Sequence, residues 1–135
     1  ARILVADDVA LMRDLLARAL TGAGHEVLLA ANGRRALETA RREKPDLILL
    51  DSMMPVMGGP ECLERLKSNP ETARIPVIMC TARSEKPAVF RAIKGGAADY
   101  VVKPFRIEFV LERVRKHLSA DAAQGQEDQA TRPEG

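Results

Sequence analysis

The strongest constraint on the fold of this chain is an alternation between short, nearly uninterrupted apolar runs and longer stretches of helical period. The runs are RILVA (2–6), HEVLLA (25–30), DLILL (46–50), IPVIMC (75–80) and DYVVK (99–103). Apolar at successive positions, they read as strands buried on both faces, the pattern of a parallel sheet. Between the first two, Leu11, Leu15, Leu16, Ala19 and Leu20 suggest one helical face, with Asp8 placed to cap it. A second helix is predicted from Arg34 to Glu43, ahead of Pro45, and a third from Pro60 to Lys67, opening on proline. A fourth runs from Pro87 to Lys94 and stops at Gly95 and Gly96, where glycine accepts a left-handed conformation. A fifth runs from Arg106 to Leu118, with Ile107, Val110, Leu111 and Val114 on one stripe.

Parallel strands need crossover helices of fixed hand, so five strands alternating with five helices specify a doubly wound α/β domain. The 135 residues suit one such domain, over residues 1–118. Beyond Leu118, SADAAQGQEDQATRPEG holds no aliphatic residue larger than alanine and no aromatic. Residues 119–135 are therefore expected to be a flexible tail or the start of an interdomain linker.

Composition removes several function classes. No apolar run approaches the length of a bilayer span, and the N-terminal run ends in two acids rather than a secretory cleavage site, so a cytoplasmic protein is expected. The tail carries four acids against one arginine, which leaves a charge of +5 on residues 1–118. Arg34, Arg35, Arg41, Arg42 and Lys44 share one helical stretch without interleaved aromatics, a solvated face rather than a nucleic-acid footprint. Cys62 and Cys80 make no CxxC pair and read as small buried hydrophobes. His25 and His117 lack a partner at ligand spacing and read as surface or helix-end residues, which sets zinc aside.

In doubly wound sheets, ligands gather outside the carboxyl ends of the strands. Asp7 and Asp8 follow the first strand, Asp51 the third and Thr81 the fourth, while Lys103 ends the fifth. Alone, each has a structural reading: Asp7 or Asp8 as a helix cap, Thr81 likewise, Lys103 as a solvated strand end. Their joint placement on one edge favours a site. Three carboxylates there repel unless a cation joins them, and Lys103 with a divalent ion balances their charge. All-oxygen ligation completed by water and phosphate oxygens suits Mg²⁺, with Mn²⁺ able to substitute. Such a site favours phosphoryl transfer, with Asp51 as nucleophile and an acyl phosphate as product.

The motifs ILVADD, LILLDSMMPVMGG, VIMCTA and DYVVKPF, in this order and at these strand ends, resemble the receiver domain of bacterial two-component response regulators, over about residues 2–118. The resemblance implies a flavodoxin-like, five-stranded sheet of order 2-1-3-4-5. It implies a phosphorylation-activated signalling switch rather than an enzyme, in which Asp51 accepts a phosphoryl group from a sensor histidine kinase or histidine phosphotransfer protein. Asp8 would bind Mg²⁺ directly, Asp7 through water, and Asp51 and the Met53 carbonyl would complete the protein ligands. Thr81, Lys103 and the backbone N–H groups of Met53 and Ala82 would hold the phosphoryl group. Tyr100 takes the place of the aromatic that turns inward as the threonine moves, and the Lys103–Pro104 bond is expected to be cis. The changed surface would then select a downstream protein target or act on a C-terminal output domain, with no direct nucleic-acid or membrane contact.

Gly58 stands where the family often has aspartate, which is expected to loosen its loop. Neither Met53 nor Arg83, beside the path of a hydrolytic water, can activate it, so slow self-dephosphorylation is expected. A rival reading is a Mg²⁺-dependent phosphatase or phosphotransferase with an aspartyl nucleophile, resembling the haloacid dehalogenase superfamily. That chemistry needs an aspartate two residues past the nucleophile, and Met53 stands there. A flavin binder would need a Ser/Thr/Gly-rich phosphate loop after the first strand, where ADDVALMRD repels phosphate instead.

Overall fold

The computed structural model describes residues 1–82 and 94–131, with side chains through Ser119. The elements run β1 (Arg2–Ala6), α1 (Ala10–Gly22), β2 (Glu26–Ala30), α2 (Gly33–Glu43), β3 (Leu47–Asp51), α3 (Gly59–Ser68), β4 (Val77–Ala82), β5 (Asp99–Lys103) and α4 (Ile107–Thr131). All strands pair in parallel in the order β2-β1-β3-β4-β5. The expected sheet and its order are present, with four helices among the described residues. Of the helix expected at Pro87–Lys94, residues 87–93 lie outside them, as does Arg83; Lys94 is helical, and Gly96, in the expected stop signal, has φ +106°.

Alternation along the strands divides the core in two. Leu4, Ile48, Leu50, Val77 and Met79 face α2 and α3, against Ala36, Ala40, Cys62, Leu63 and Leu66. Ile3, Val5, Leu47, Leu49, Ile78 and Val101 face the other way, against Leu16 and Leu20 of α1 and Val110 and Val114 of α4. Only the three inner strands are buried on both faces. At the edges, Leu29 of β2 and Tyr100 of β5 are exposed, because an edge strand lacks a neighbour to extend its covering layers.

The helical face of α1 differs from its sequence reading. Leu16 and Leu20 are buried with Met12 packed beside them, whereas Leu11 and Leu15 face outward. The buried set recurs every four residues, and Leu11 and Leu15 fall one residue off that stripe. Asp8 does not cap α1: its N-cap is Val9, whose N–H donates to Asp7 Oδ1 at 2.9 Å. Asn32 caps α2 by accepting from the Arg35 N–H.

Helix α4 runs to Thr131 rather than stopping at Leu118. Its apolar residues packed on the core end at Leu118, as the sequence suggests. Helical backbone continues because alanine, glutamine and glutamate are good helix formers and the next proline is Pro133. The histidines, too, are not plain surface residues. His117 hydrogen-bonds Asp99 at 2.8 Å, and the buried Nδ1 of His25 has no hydrogen-bond partner.

Candidate functional site

The strand order reverses about β1, whose neighbours are β2 and β3, so the crevice at the carboxyl ends of β1 and β3 is the place for a ligand. Asp7 follows β1 and Asp51 ends β3. Both are buried, at 2% and 6% exposure, while Asp8 is exposed. Oxygens of the three carboxylates lie within 4.8 Å of one another. Lys103, ending β5, reaches across β4 to place Nζ 3.2 Å from Asp7 Oδ2 and 3.1 Å from Asp51 Oδ1.

Local contacts fix the segments that carry Asp7 and Asp51. The Val9 N–H occupies Asp7 Oδ1, and the Arg13 guanidinium donates to the Asp7 carbonyl at 2.7 Å. Beneath Asp51, Gly59 opens α3 so close that a Cβ there would run into the Asp51 carbonyl oxygen. Gly33 is confined in the same way by the Met57 carbonyl, which accepts its N–H. Neither glycine is a site residue by chemistry. Their contribution is backbone approach, and the ANG and GG sequences signal only a turn until the partner strand is known.

Burial, followed by the negative charge of Asp7, pushes the Asp51 carboxyl up to about 6 despite the opposing pull of Lys103. Burial depresses the Lys103 ammonium, but Asp51 and Asp7 outweigh it and hold the group above its usual range. Three carboxylates with one resident cation leave the cluster electronegative. Its hard oxygen donors fit a small divalent ion, which would supply the missing positive charge.

The other predicted residues fall around this centre. Thr81 is buried in β4, its hydroxyl making a long 3.3 Å contact with the Ala82 carbonyl. Ala82 closes the same strand. Met53 is 67% exposed in the loop after β3, and Tyr100 is 41% exposed beside Asp99. The Lys103–Pro104 peptide is cis, as expected. Gly58 is the N-cap of α3 with extended backbone, and it makes no side-chain cap hydrogen bond. In the same loop Val56 has φ +69°, and the Met57 N–H closes onto the Pro55 carbonyl at 2.7 Å.

These features define a doubly wound α/β domain whose switch point holds two buried aspartates bridged by a lysine. The sequence model of the response regulator receiver domain matches residues 3–115, and the chain belongs to that family. It is 41% identical to the chemotaxis protein CheY of Bacillus subtilis over 119 residues, covering 87% of this chain and 98% of that one. It is 42% identical to the phosphate regulon transcriptional regulatory protein PhoB of Pseudomonas aeruginosa, covering 86% of this chain but 51% of the relative. Among solved structures, a putative response regulator from Chloroflexus aurantiacus superposes with a TM-score of 0.83 at 32% identity, over 87% of this chain and 97% of that one. The chain is thus a receiver domain, a phosphorylation-activated signalling switch of two-component systems. The dehalogenase-like alternative is not favoured, and Met53 stands where its acid/base would be. Among the described residues no helix is long and apolar enough to cross a membrane.

Proposed function

We propose that Asp51 is the phosphoacceptor, taking a phosphoryl group from a phosphohistidine of a sensor kinase or phosphotransfer protein. The observation that carries this reading is the double contact of Lys103 with Asp7 and Asp51 inside the three-carboxylate cluster. With its carboxyl at about 6, Asp51 is mostly ionised at neutral pH and able to attack. Its carboxylate oxygen forms a bond to phosphorus as the phosphorus–nitrogen bond breaks, and the histidine imidazole leaves. Lys103 then binds an oxygen of the transferred group, helped by the Thr81 hydroxyl and the backbone N–H groups of Met53 and Ala82.

Asp8, Asp7, Asp51 and the Met53 carbonyl are the residues that would hold Mg²⁺, or Mn²⁺ in its place. When bound, the ion supplies positive charge against the phosphoryl oxygens. Asp7 is the inner member, its two oxygens already committed to Val9 and Lys103, which supports its acting through water while exposed Asp8 binds directly. Thr81 and outward-facing Tyr100 form the switch, the ring turning inward as the hydroxyl moves to the phosphoryl group. The domain performs self-phosphorylation and self-dephosphorylation and turns over no other substrate. It works in the cytoplasm over residues 1–118, and residues 119–135 lead to an output domain or end as a tail. Its signal goes to a protein partner.

Incubation with acetyl phosphate, read by intact mass, tests the assignment. One phosphoryl group should be gained with Mg²⁺, lost to hydroxylamine, and absent without the ion or in Asp51→Asn. Incorporation that persists in Asp51→Asn would refute it.

A further inference from the structure

A second, partly buried ionic cluster lies at the opposite end of β5 from Lys103. Asp99 Oδ2 meets His117 Nε2 at 2.8 Å and Arg113 Nη1 at 3.3 Å, both from α4. Asp99 Oδ1 accepts the backbone N–H of Tyr100 at 2.8 Å. The Asp99 and His117 side chains are 15% and 16% exposed, so the contact is largely shielded from water. Arg113 also lies over the Phe109 ring, 5.0 Å from its centroid, in a groove shared with Tyr100. Among the described residues Arg113 and His117 are the charged groups paired with Asp99, and no other ionisable side chain forms an ion pair with His117.

Burial raises the Asp99 carboxyl, but His117, the Tyr100 N–H and Arg113 outweigh it and hold it below its usual range. Asp99 therefore remains an acceptor, and His117 donates through Nε2. A charge-assisted bond of this kind is stronger than its neutral counterpart. Histidine is also the side chain whose charge changes near physiological pH.

We propose that Asp99, His117 and Arg113 form a latch that ties α4 to the strand bearing Tyr100 and Lys103, with protonated His117 favouring the outward-facing Tyr100. These are positioning residues: Asp99 accepts the backbone N–H of the switch residue, and Arg113 and His117 act on it through Asp99 rather than at the phosphoryl site. The inference rests on the phosphoacceptor reading. By linkage, if protonated His117 favours outward Tyr100, then phosphorylation, which draws Tyr100 inward, must weaken proton binding at His117. Acidification would in turn oppose activation.

The test is a ring-proton NMR titration of His117 in the full chain with Mg²⁺, with and without beryllofluoride as the phosphoryl mimic. The expected result is a fall in the His117 midpoint of about 0.3 pH unit or more, a twofold loss of proton affinity. Direct electrostatics cannot supply it, since the beryllofluoride group is anionic and its field would favour the imidazolium and raise the His117 midpoint rather than lower it. The fall should vanish in Asp99→Asn. A midpoint that is unchanged or rises, or a fall that survives Asp99→Asn, would overturn the latch; the parent titration decides even if that variant does not fold. Fluorine NMR separates the two readings. Absence of bound beryllofluoride would overturn the phosphoacceptor assignment and the latch together, whereas binding with an unmoved His117 overturns the latch alone.

Discussion

Replacing Asp51 with asparagine should stabilise the protein at neutral pH when divalent ions are chelated. Burial and the charge of Asp7 raise the Asp51 carboxyl from 3.8 to about 6 in the folded protein. Because the folded pKa exceeds the unfolded one, the folded state binds this proton more tightly. The stabilisation is full below about pH 4 and is lost as pH rises through about 6. A separation of about two units, at about 1.4 kcal/mol each, makes the ionised group a burden of ~3 kcal/mol at pH 7.5. Asparagine keeps the shape and can accept from Lys103, but the lysine then has only Asp7 as an ionic partner. Part of the gain is therefore given back, leaving a net ~1–2 kcal/mol at about pH 7.5 that shrinks toward zero near pH 4.5. Urea unfolding in chelator at the two pH values measures this, provided the m-values agree. Added Mg²⁺ should narrow the gap by stabilising the charged parent. A variant no more stable than the parent at pH 7.5, or one whose advantage is the same at both pH values, would refute the reasoning.

Two further substitutions probe the loop that carries the site. In Gly59→Ala the new methyl would run into the Asp51 carbonyl and lie 2.9 Å from Met79 Cε and Ser52 Cα. Two of those three obstacles are backbone, so the cost should reach ~3 kcal/mol and lower Tm by roughly 10 °C in a thermal melt; a fall under about 3 °C would mean that the loop yields. Val56→Gly should act in the opposite direction, since Val56 is exposed and has φ +69°, a region costly for a β-branched side chain. Relief of that strain, less the entropy of a new glycine, should stabilise by ~0.5–1 kcal/mol in urea unfolding, and a destabilised variant would contradict it.

Much of the domain was legible along the chain. Apolar runs place all five strands to within two residues, because an inner parallel strand must be apolar on both faces whatever its neighbours are. The carboxyl ends of those strands placed Asp7, Asp51, Thr81 and Lys103 on one edge, since parallel pairing brings every such end to the same side of the sheet. Local pattern was less reliable where a choice depended on neighbours. The periodicity of α1 allows either Leu11 and Leu15 or Met12, Leu16 and Leu20 to face inward, and only docking on the sheet selects the second set. Adjacent acids likewise do not reveal which one is buried. Tertiary contact puts Asp7 inside, between the Val9 N–H and Lys103, and leaves Asp8 facing out.

The sequence by itself thus determined the layer architecture and the chemical membership of the site, because both follow from hydrophobic period and from which residues end the strands. Only the tertiary structure decided the charge state of Asp51, the close approach that reserves Gly33 and Gly59, and the union of Asp99 with Arg113 and His117. Each of these depends on distances across the chain, where burial and Coulomb energy change within a few ångströms and sequence separation carries no record of them.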